Sequence, residues 1–302
     1  MDAKQIHCLT QWLTLEVRGP DAVDLLNRLL TLNLKLLEIG GGDFAFLLDH
    51  RGRVQHAFWL IRRAEDVIYL VSETQVSSLQ EALDLFIFSE RVTLTPLMST
   101  CIYHRGPKTP NGARVNVYGG EDETLEWIEE GELQARCQSL LDAGSHPITV
   151  DELEAQRIIW GSHSPHKDYQ DARSPLDLST RGITEGKGCY PGQEVIERTL
   201  ALGQPAAVTL HVQSELTPEL YPLLQTLVTK NETLPVYLIN PSIDKSAVSS
   251  PQEVGRLSSY TLTSSHHLYG VITIKRSAST ATQWSLMIEA TPLPLHPVVS
   301  NS

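Results

Sequence analysis

One stretch of this sequence reads Lys187-Gly188-Cys189-Tyr190-Pro191-Gly192-Gln193-Glu194. We call it the octapeptide. It combines a cation, a thiol, an aromatic ring, an amide, a carboxylate and two glycines, a mixture that core helices and strands do not normally contain. The glycines permit a positive φ or the close approach of a bound group. A lysine two residues away favours the reactive thiolate form of a cysteine. The octapeptide is therefore the first place to look for function.

Composition limits the classes to which the protein can belong. A chain of 302 residues is long enough for two or three small domains, and its 41% hydrophobic and 20% charged content is typical of soluble globular proteins. No apolar run approaches the roughly 18–20 residues that span a bilayer, so no membrane partner is expected. The net charge of -12 argues against broad nucleic-acid binding. It still permits a small anionic ligand held by a few local cations.

The cysteines indicate a reducing environment. Their spacings are wide and form no C-x-x-C pattern, which excludes a disulfide framework and a zinc or iron–sulfur ligand set. The four are Cys8, Cys101, Cys137 and Cys189. The N-terminal residues lack the basic-then-apolar pattern of a secretory signal. We therefore expect reduced thiols in a cytoplasmic protein, with the first three cysteines acting as small buried hydrophobes.

Periodicity predicts an α+β body. Strands are predicted over residues 12–18 and 67–71, and a hairpin over residues 44–61 turns at His50-Arg51-Gly52. Helices are expected after Gly19, from a cap at Ser72 or Thr74 to about Phe88, and over 133–141, 153–159 and 193–202. Residues 160–186 are predicted to form a long polar loop that leads into the octapeptide.

The composition changes from about Pro205. Short alternating segments separated by turn residues predict a small C-terminal β-barrel or sandwich. They lie at 208–212, 236–239, 255–262, 270–274 and 285–288. Residues 290–302 are expected to be a loose tail.

The octapeptide carries a family resemblance. Its pattern Lys-Gly-Cys-Tyr-x-Gly-Gln-Glu resembles that of the YgfZ-type folate-binding proteins. These are relatives of the aminomethyltransferase (T protein) of the glycine cleavage system, and they include a mitochondrial iron–sulfur assembly factor. Supporting blocks lie at 17–22, 48–54, 154–161, Ser174–Asp177, Arg198 and 253–259.

The resemblance implies a fold and a domain plan. It implies an α+β, three-part cloverleaf around a central channel, with a C-terminal β-barrel. We expect a discontinuous first part at residues 1–50 and 145–204 and a second α+β part at 51–144. The barrel and its loose tail would occupy 205–302.

The resemblance also implies a cofactor and partners. Tetrahydrofolate or a derivative would be bound, with iron–sulfur enzymes or their assembly proteins as partners. The implied role is to support assembly or repair of iron–sulfur clusters, including those of enzymes that thiolate transfer RNA. We expect a monomer, although the sequence does not fix the oligomeric state.

Each octapeptide residue has a functional and a structural interpretation. Cys189 would be a functional thiol or a packed cysteine, and Lys187 would pair with a folate carboxylate or be a solvated cation. Tyr190 would stack on the pterin or lie in the core. The remaining folate-binding candidates are Gly188, Gly192, Gln193, Glu194 and the neighbouring Arg198.

Several of these candidates also have a simple structural interpretation that competes with folate binding. Gln193 could cap backbone amides at the helix start. Glu194 could read the pterin edge, or form a surface ion pair with Arg198 one helical turn away. The two glycines could serve only the backbone. A metal site at His163, His166 and Asp168 is disfavoured by its loose spacing, so no metal is expected.

The chain departs from the transferase pattern in two places. The glycine-cleavage transferases carry an acidic residue shortly after the hairpin turn, whereas Gln55, His56 and Ala57 stand here. After the octapeptide, a family arginine is missing from residues 203–210.

Three functions stay open. The first is a folate-binding accessory protein without an assigned turnover reaction. The second is a folate-dependent aminomethyl or one-carbon transferase, which the missing acid disfavours. The third is a thiol-redox protein that no longer uses its folate pocket.

Overall fold

The computed structural model divides the chain into two compact units. It describes residues 5–73, 76–107, 112–118, 122–169, 173–203, 207–230, 233–238, 252–279, 284–288 and 291–298. The first unit, here the sheet unit, comprises Met1–Val150 and Ser164–Gly203. The second, here the barrel unit, comprises Asp151–His163 and Gln204–Ser302. The predicted split of the first unit into two α+β parts stays a prediction.

Six α-helices lie in the described ranges. They are α1 (Ala22–Leu29), α2 (Val76–Asp84), α3 (Leu133–Asp142), α4 (Val150–Ile159), α5 (Gln193–Leu202) and α6 (Leu220–Lys230). None of them is long and apolar enough to cross a bilayer. Helix α2 was expected to run to about Phe88 but ends at Asp84. The proposed cap Ser72 is instead the last residue of strand β5. The proposed cap Thr74 lies outside the described residues.

The sheet unit is built on one ten-stranded sheet. Its strands are β1 (Ile6–Leu9), β2 (Leu13–Arg18), β3 (Gly41–Leu48), β4 (Val54–Arg62), β5 (Val67–Ser72), β6 (Thr93–Leu97), β7 (Thr100–Arg105), β8 (Ala113–Val115), β9 (Glu123–Ile128) and β10 (His146–Pro147). They are ordered β10-β1-β7-β9-β8-β3-β4-β5-β2-β6. The hairpin predicted over 44–61 is confirmed as β3 and β4, paired antiparallel with Phe44 opposite Trp59.

The hairpin is buried on both faces. On one face, Ala45, Leu47 and Phe58 join the core beneath α1. On the other face, Phe44 and Trp59 belong to an aromatic cluster in which the Trp12 and Trp59 rings lie 4.3 Å apart. Strands covered on both sides are continuous in hydrophobic residues, which explains the unbroken apolar run from Phe44 to Leu48. The hairpin is therefore a rigid support for the turn at its end.

The barrel unit contains a closed six-stranded barrel. Its strands are β11 (Ala207–Glu215), β12 (Leu234–Leu238), β13 (Gln252–Leu262), β14 (His267–Lys275), β15 (Trp284–Ile288) and β16 (Thr291–Pro297). They close in the order β11-β14-β13-β12-β15-β16. The α+β class with a C-terminal β-barrel is thus confirmed.

Two features of the barrel unit differ from expectation. Residues 291–297 form strand β16 rather than part of a loose tail. Prolines gave this segment the appearance of a loop, but Leu293 and Leu295 alternate with them and are buried in the barrel core. Helix α6 was also not predicted. Its leucines pack on the barrel core, with Leu224 fully buried.

A buried arginine ties α4 to the barrel. Arg157 is fully buried, and its Nε and Nη2 donate to Glu154 at 3.0 and 2.6 Å. Its Nη1 donates to the Ser162 carbonyl at 2.7 Å, and Nη2 also donates to Ser259 Oγ on β13 at 3.0 Å. Two of the sequence blocks behind the resemblance, 154–161 and 253–259, therefore meet at this side chain.

We predict that the Arg157→Leu variant loses about 3–5 kcal/mol of unfolding free energy, because Glu154 becomes a buried charge without its partner. The double variant Glu154→Leu with Arg157→Leu should recover most of this loss, since no buried charge remains. Urea denaturation measures both. As a control, Arg256→Leu on β13 removes an exposed ion pair of 3.9 Å and should cost less than about 1 kcal/mol. A double variant as unstable as the single one would contradict this account.

Candidate functional site

The octapeptide leads directly into helix α5. Gly192 is the N-cap of α5 with φ 77°, and Gly188 has φ 104°. Both values are unfavourable for residues with a Cβ. Helix α5 spans Gln193–Leu202, as predicted, and buries Ile196. The two glycines therefore set the path of the chain through the octapeptide.

Gly192 packs directly against the turn of the β3–β4 hairpin. A Cβ at Gly192 would lie 2.5 Å from the Asp49 carbonyl oxygen and 2.6 Å from Gly52 Cα. The turn itself is held by Asp49, whose Oδ1 accepts from the backbone N–H groups of Arg51 and Arg53 at 2.8 and 2.9 Å. Gly52 donates to the Asp49 carbonyl at 3.0 Å and has φ 70°. Only glycine at 192 allows this approach.

Lys187 is anchored within the sheet unit. Its Nζ donates a short hydrogen bond to the backbone carbonyl of Asn27 on α1, and it lies 5.2 Å from the centroid of the Tyr190 ring. Burial lowers the pKa of Lys187 to about 8, and the charge of Cys189 opposes this shift. The interpretation of Lys187 as a solvated loop cation is therefore wrong.

Tyr190 and Cys189 differ in their exposure to solvent. Tyr190 is buried, with 9% of its surface exposed, and burial raises the pKa of its hydroxyl to about 12. Cys189 is a free, exposed thiol, so its interpretation as a packed core cysteine is wrong. The Tyr190 side chain is thus packed in the protein interior, whereas the Cys189 thiol is accessible to solvent. Stacking of Tyr190 on a pterin stays a prediction.

The purely structural interpretations of the polar residues of α5, helix capping by Gln193 and a Glu194–Arg198 ion pair, are not observed. Gln193 Nε2 donates to Glu197 Oε1 at 2.6 Å, and the helix start has no side-chain cap. Glu194 and Arg198 are both exposed, and no ion pair joins them in the part of the chain that is described. The surface ion pair is therefore absent. Both side chains are accessible to a ligand.

Asp177, which the sequence placed in a supporting block and not among the candidate site residues, lies near Arg53, just before β4. The backbone N–H of Val54 donates to the Arg173 carbonyl at 2.9 Å, so the segment leading to Asp177 contacts the first residue of this strand. Burial raises the pKa of the Asp177 carboxyl, whereas Arg173 and Arg53 lower it. The window 55–57 contains no carboxylate, but a separate segment brings one to its edge. The Pro175-Leu176-Asp177 block was the available signal.

The expectation that His163, His166 and Asp168 hold no metal stays a prediction. Among the described residues, no group of three metal-ligating side chains is placed to hold an ion. Asp168 Oδ2 instead accepts from the backbone N–H of Ser164 at 2.8 Å. The missing family arginine falls within residues 203–210, of which 204–206 lie outside the described residues.

Comparison with known proteins bears on the fold. No protein-family model and no curated protein matches the sequence. A solved structure does match: the glycine cleavage system aminomethyltransferase T from Bartonella henselae, with a TM-score of 0.74 and 16% identity, over 99% of this chain and 86% of that one. The chain has an aminomethyltransferase-T-like fold. Within this fold, the octapeptide, α1, α5 and the hairpin turn form the candidate site.

The two glycines of the site should respond differently to alanine. Gly188→Ala meets open space and should cost only the strain of a positive φ, about 1–3 kcal/mol. Gly192→Ala adds backbone overlap with the hairpin turn and should cost at least about 2 kcal/mol more. Urea denaturation measures the difference. Equal losses would show that the close approach is not a constraint.

The Lys187 amine should titrate far below an ordinary lysine. Reductive methylation with 13C-formaldehyde converts lysines to dimethylamines whose NMR shifts report protonation. We expect the Lys187 signal, assigned by its loss in Lys187→Arg, to have a midpoint near the pKa of about 8 that burial imposes. An Nα-acetyl-lysine amide treated in the same way gives the reference. A Lys187 midpoint close to the ordinary value of about 10.4 would contradict the buried position of the amine.

Proposed function

We propose that this protein is a tetrahydrofolate-binding accessory protein of the YgfZ type. It supports assembly or repair of iron–sulfur clusters in other proteins, including enzymes that thiolate transfer RNA, and Cys189 is its functional thiol. The observation that carries the proposal is the geometry of the octapeptide: Gly192 fixes it on the hairpin turn, and Cys189 is exposed two residues from the anchored Lys187.

The polar groups of the site suit a reduced folate. A folate has a pterin ring with hydrogen-bond donors on one edge and a tail of carboxylates. Glu194 offers a carboxylate to the pterin edge, and Arg198 offers a cation to the tail. The fold matches an aminomethyltransferase T of the glycine cleavage system, a second reason to expect a folate.

Cys189 fits a transient carrier better than a resident cluster site. A single thiolate cannot complete the four ligands of an iron–sulfur cluster. None of the described residues supplies the rest of such a set near it. The thiol would therefore hold a sulfur or metal species only briefly, or share it with ligands from a partner.

A second candidate function is folate-dependent aminomethyl or one-carbon transfer. It is favoured by one observation, the carboxyl of Asp177 beside the start of β4. Burial keeps the pKa of this acid raised, and a general acid or base with a raised pKa suits proton transfer to a folate nitrogen. The absence of a carboxylate at 55–57 weighs against it.

The two candidates can be separated with the purified protein and a deletion strain. Titration with tetrahydrofolate should quench the fluorescence of the tryptophans with a Kd tighter than about 1 mM. Arg198→Ala should weaken binding about tenfold, whereas Arg256→Ala on the barrel should not. In the deletion strain, the Cys189→Ser gene should fail to restore cluster-dependent enzyme activities while Cys137→Ser restores them.

Each outcome has a distinct meaning. No folate binding would exclude both candidates and leave a thiol-redox role, for which alkylation of Cys189 is the first assay. Full rescue by Cys189→Ser would remove the thiol from the mechanism. Formation of methylene-tetrahydrofolate from an aminomethyl donor, lost in Asp177→Asn, would replace the accessory role with the transferase.

A further inference from the structure

The barrel unit contains a pocket that the proposed function does not use. Its volume is about 410 Å³, within the range of about 300–1,000 Å³ typical of small-molecule sites. It lies between α6, the end of β13 and the first turn of α4, and all its lining residues belong to the barrel unit. No residue of the octapeptide lines it.

A buried hydroxyl without a partner lines this pocket. Thr261 on β13 is 2% exposed, and its neighbours Tyr260 and Leu262 both belong to the barrel core. Thr261 and Leu262 nevertheless both line the pocket. Its Oγ1 makes no hydrogen bond within the described part of the chain. Buried hydroxyls normally have a hydrogen-bond partner. A ligand that forms a hydrogen bond with this oxygen would therefore remove the free-energy cost of burying it unpaired.

The charge of the pocket indicates the chemistry of the ligand. Asp151 is the single charged residue of its lining, and no hydrogen bond or ion pair engages its carboxylate among the described residues. It lies in the first turn of α4. A carboxylate and a hydroxyl that line one pocket suit a cation that donates several hydrogen bonds.

The rest of the lining fits a short organic body. Val228, Leu262 and the Tyr221 ring contribute apolar surface, and Gln225 adds an amide. A hydrated metal ion would gain nothing from these apolar side chains, whereas a carbon chain or ring attached to an ammonium group would be covered by them. The net charge of -12 on the chain also attracts cations in general.

We propose that this pocket binds a small organic ammonium compound. The ammonium group pairs with the Asp151 carboxylate and donates a hydrogen bond to Thr261 Oγ1, while its carbon body packs on Val228 and Leu262. The site is independent of the octapeptide and of folate.

Calorimetric titration of the full-length protein tests this. The probes are n-butylammonium and tyramine, each compared with the uncharged alcohol of the same skeleton, n-butanol and tyrosol. At least one ammonium should bind with a Kd of about 1 mM or tighter, and its alcohol should bind at least about tenfold more weakly. Asp151→Asn should weaken ammonium binding about tenfold, and Thr261→Val should weaken it several-fold while preserving the shape of the side chain.

Two controls keep the test specific. Glu253→Gln removes an exposed acid elsewhere on β13 and should leave ammonium binding unchanged. Tetrahydrofolate binding should be the same in Asp151→Asn as in the unaltered protein, so that failure of one proposal does not affect the other. The inference is overturned if neither ammonium binds saturably, if the alcohols bind equally well, or if binding survives both pocket variants.

Discussion

The close approach between Gly192 and the Asp49–Gly52 turn is the constraint on which the candidate site depends. A Cβ at Gly192 would meet backbone atoms on the turn at 2.5–2.6 Å, and those atoms cannot move independently of the hairpin. The hairpin is fixed in turn because both of its faces are buried. The start of α5 and the octapeptide before it are consequently positioned by a hairpin that is buried on both faces.

This placement gives the octapeptide its chemical character. Lys187 is drawn inward to the Asn27 carbonyl and the Tyr190 ring, and the resulting loss of hydration favours the neutral amine. Cys189, two residues later, is left exposed. An amine whose pKa burial lowers to about 8 and an exposed thiol therefore lie two residues apart.

The barrel unit depends on buried polar side chains rather than on a close approach of backbones. Arg157 is buried with its charge satisfied by Glu154, and its further bonds to Ser162 and Ser259 join α4 to β13. A buried ion pair of this kind adds little to stability over apolar packing, but removing one partner is costly. On the same strand, Thr261 has a buried hydroxyl without any such partner. The contrast between the two positions is what marks the pocket as a place for a ligand.

The sequence by itself determined the features that depend on local patterns. The β3–β4 hairpin, the start of α5 at Gly192 and five of the six barrel strands follow from periodicity and from glycine placement. Strand β16 was missed because its prolines outweighed the alternation of Leu293 and Leu295. Helix α6 was missed although Leu220, Leu223, Leu224 and Leu227 have helical spacing.

Only the tertiary structure decided how distant segments meet. The partners of Gly192 and Lys187 lie in segments far away in the sequence, on the hairpin turn and on α1. The same is true of Asp177, which becomes relevant only because its segment contacts the first residue of β4. The buried hydroxyl of Thr261 lines a pocket only because residues of α4 and α6 meet β13 there. Residue spacing encodes contacts within one element, whereas burial and unsatisfied polar groups arise only when elements pack against one another.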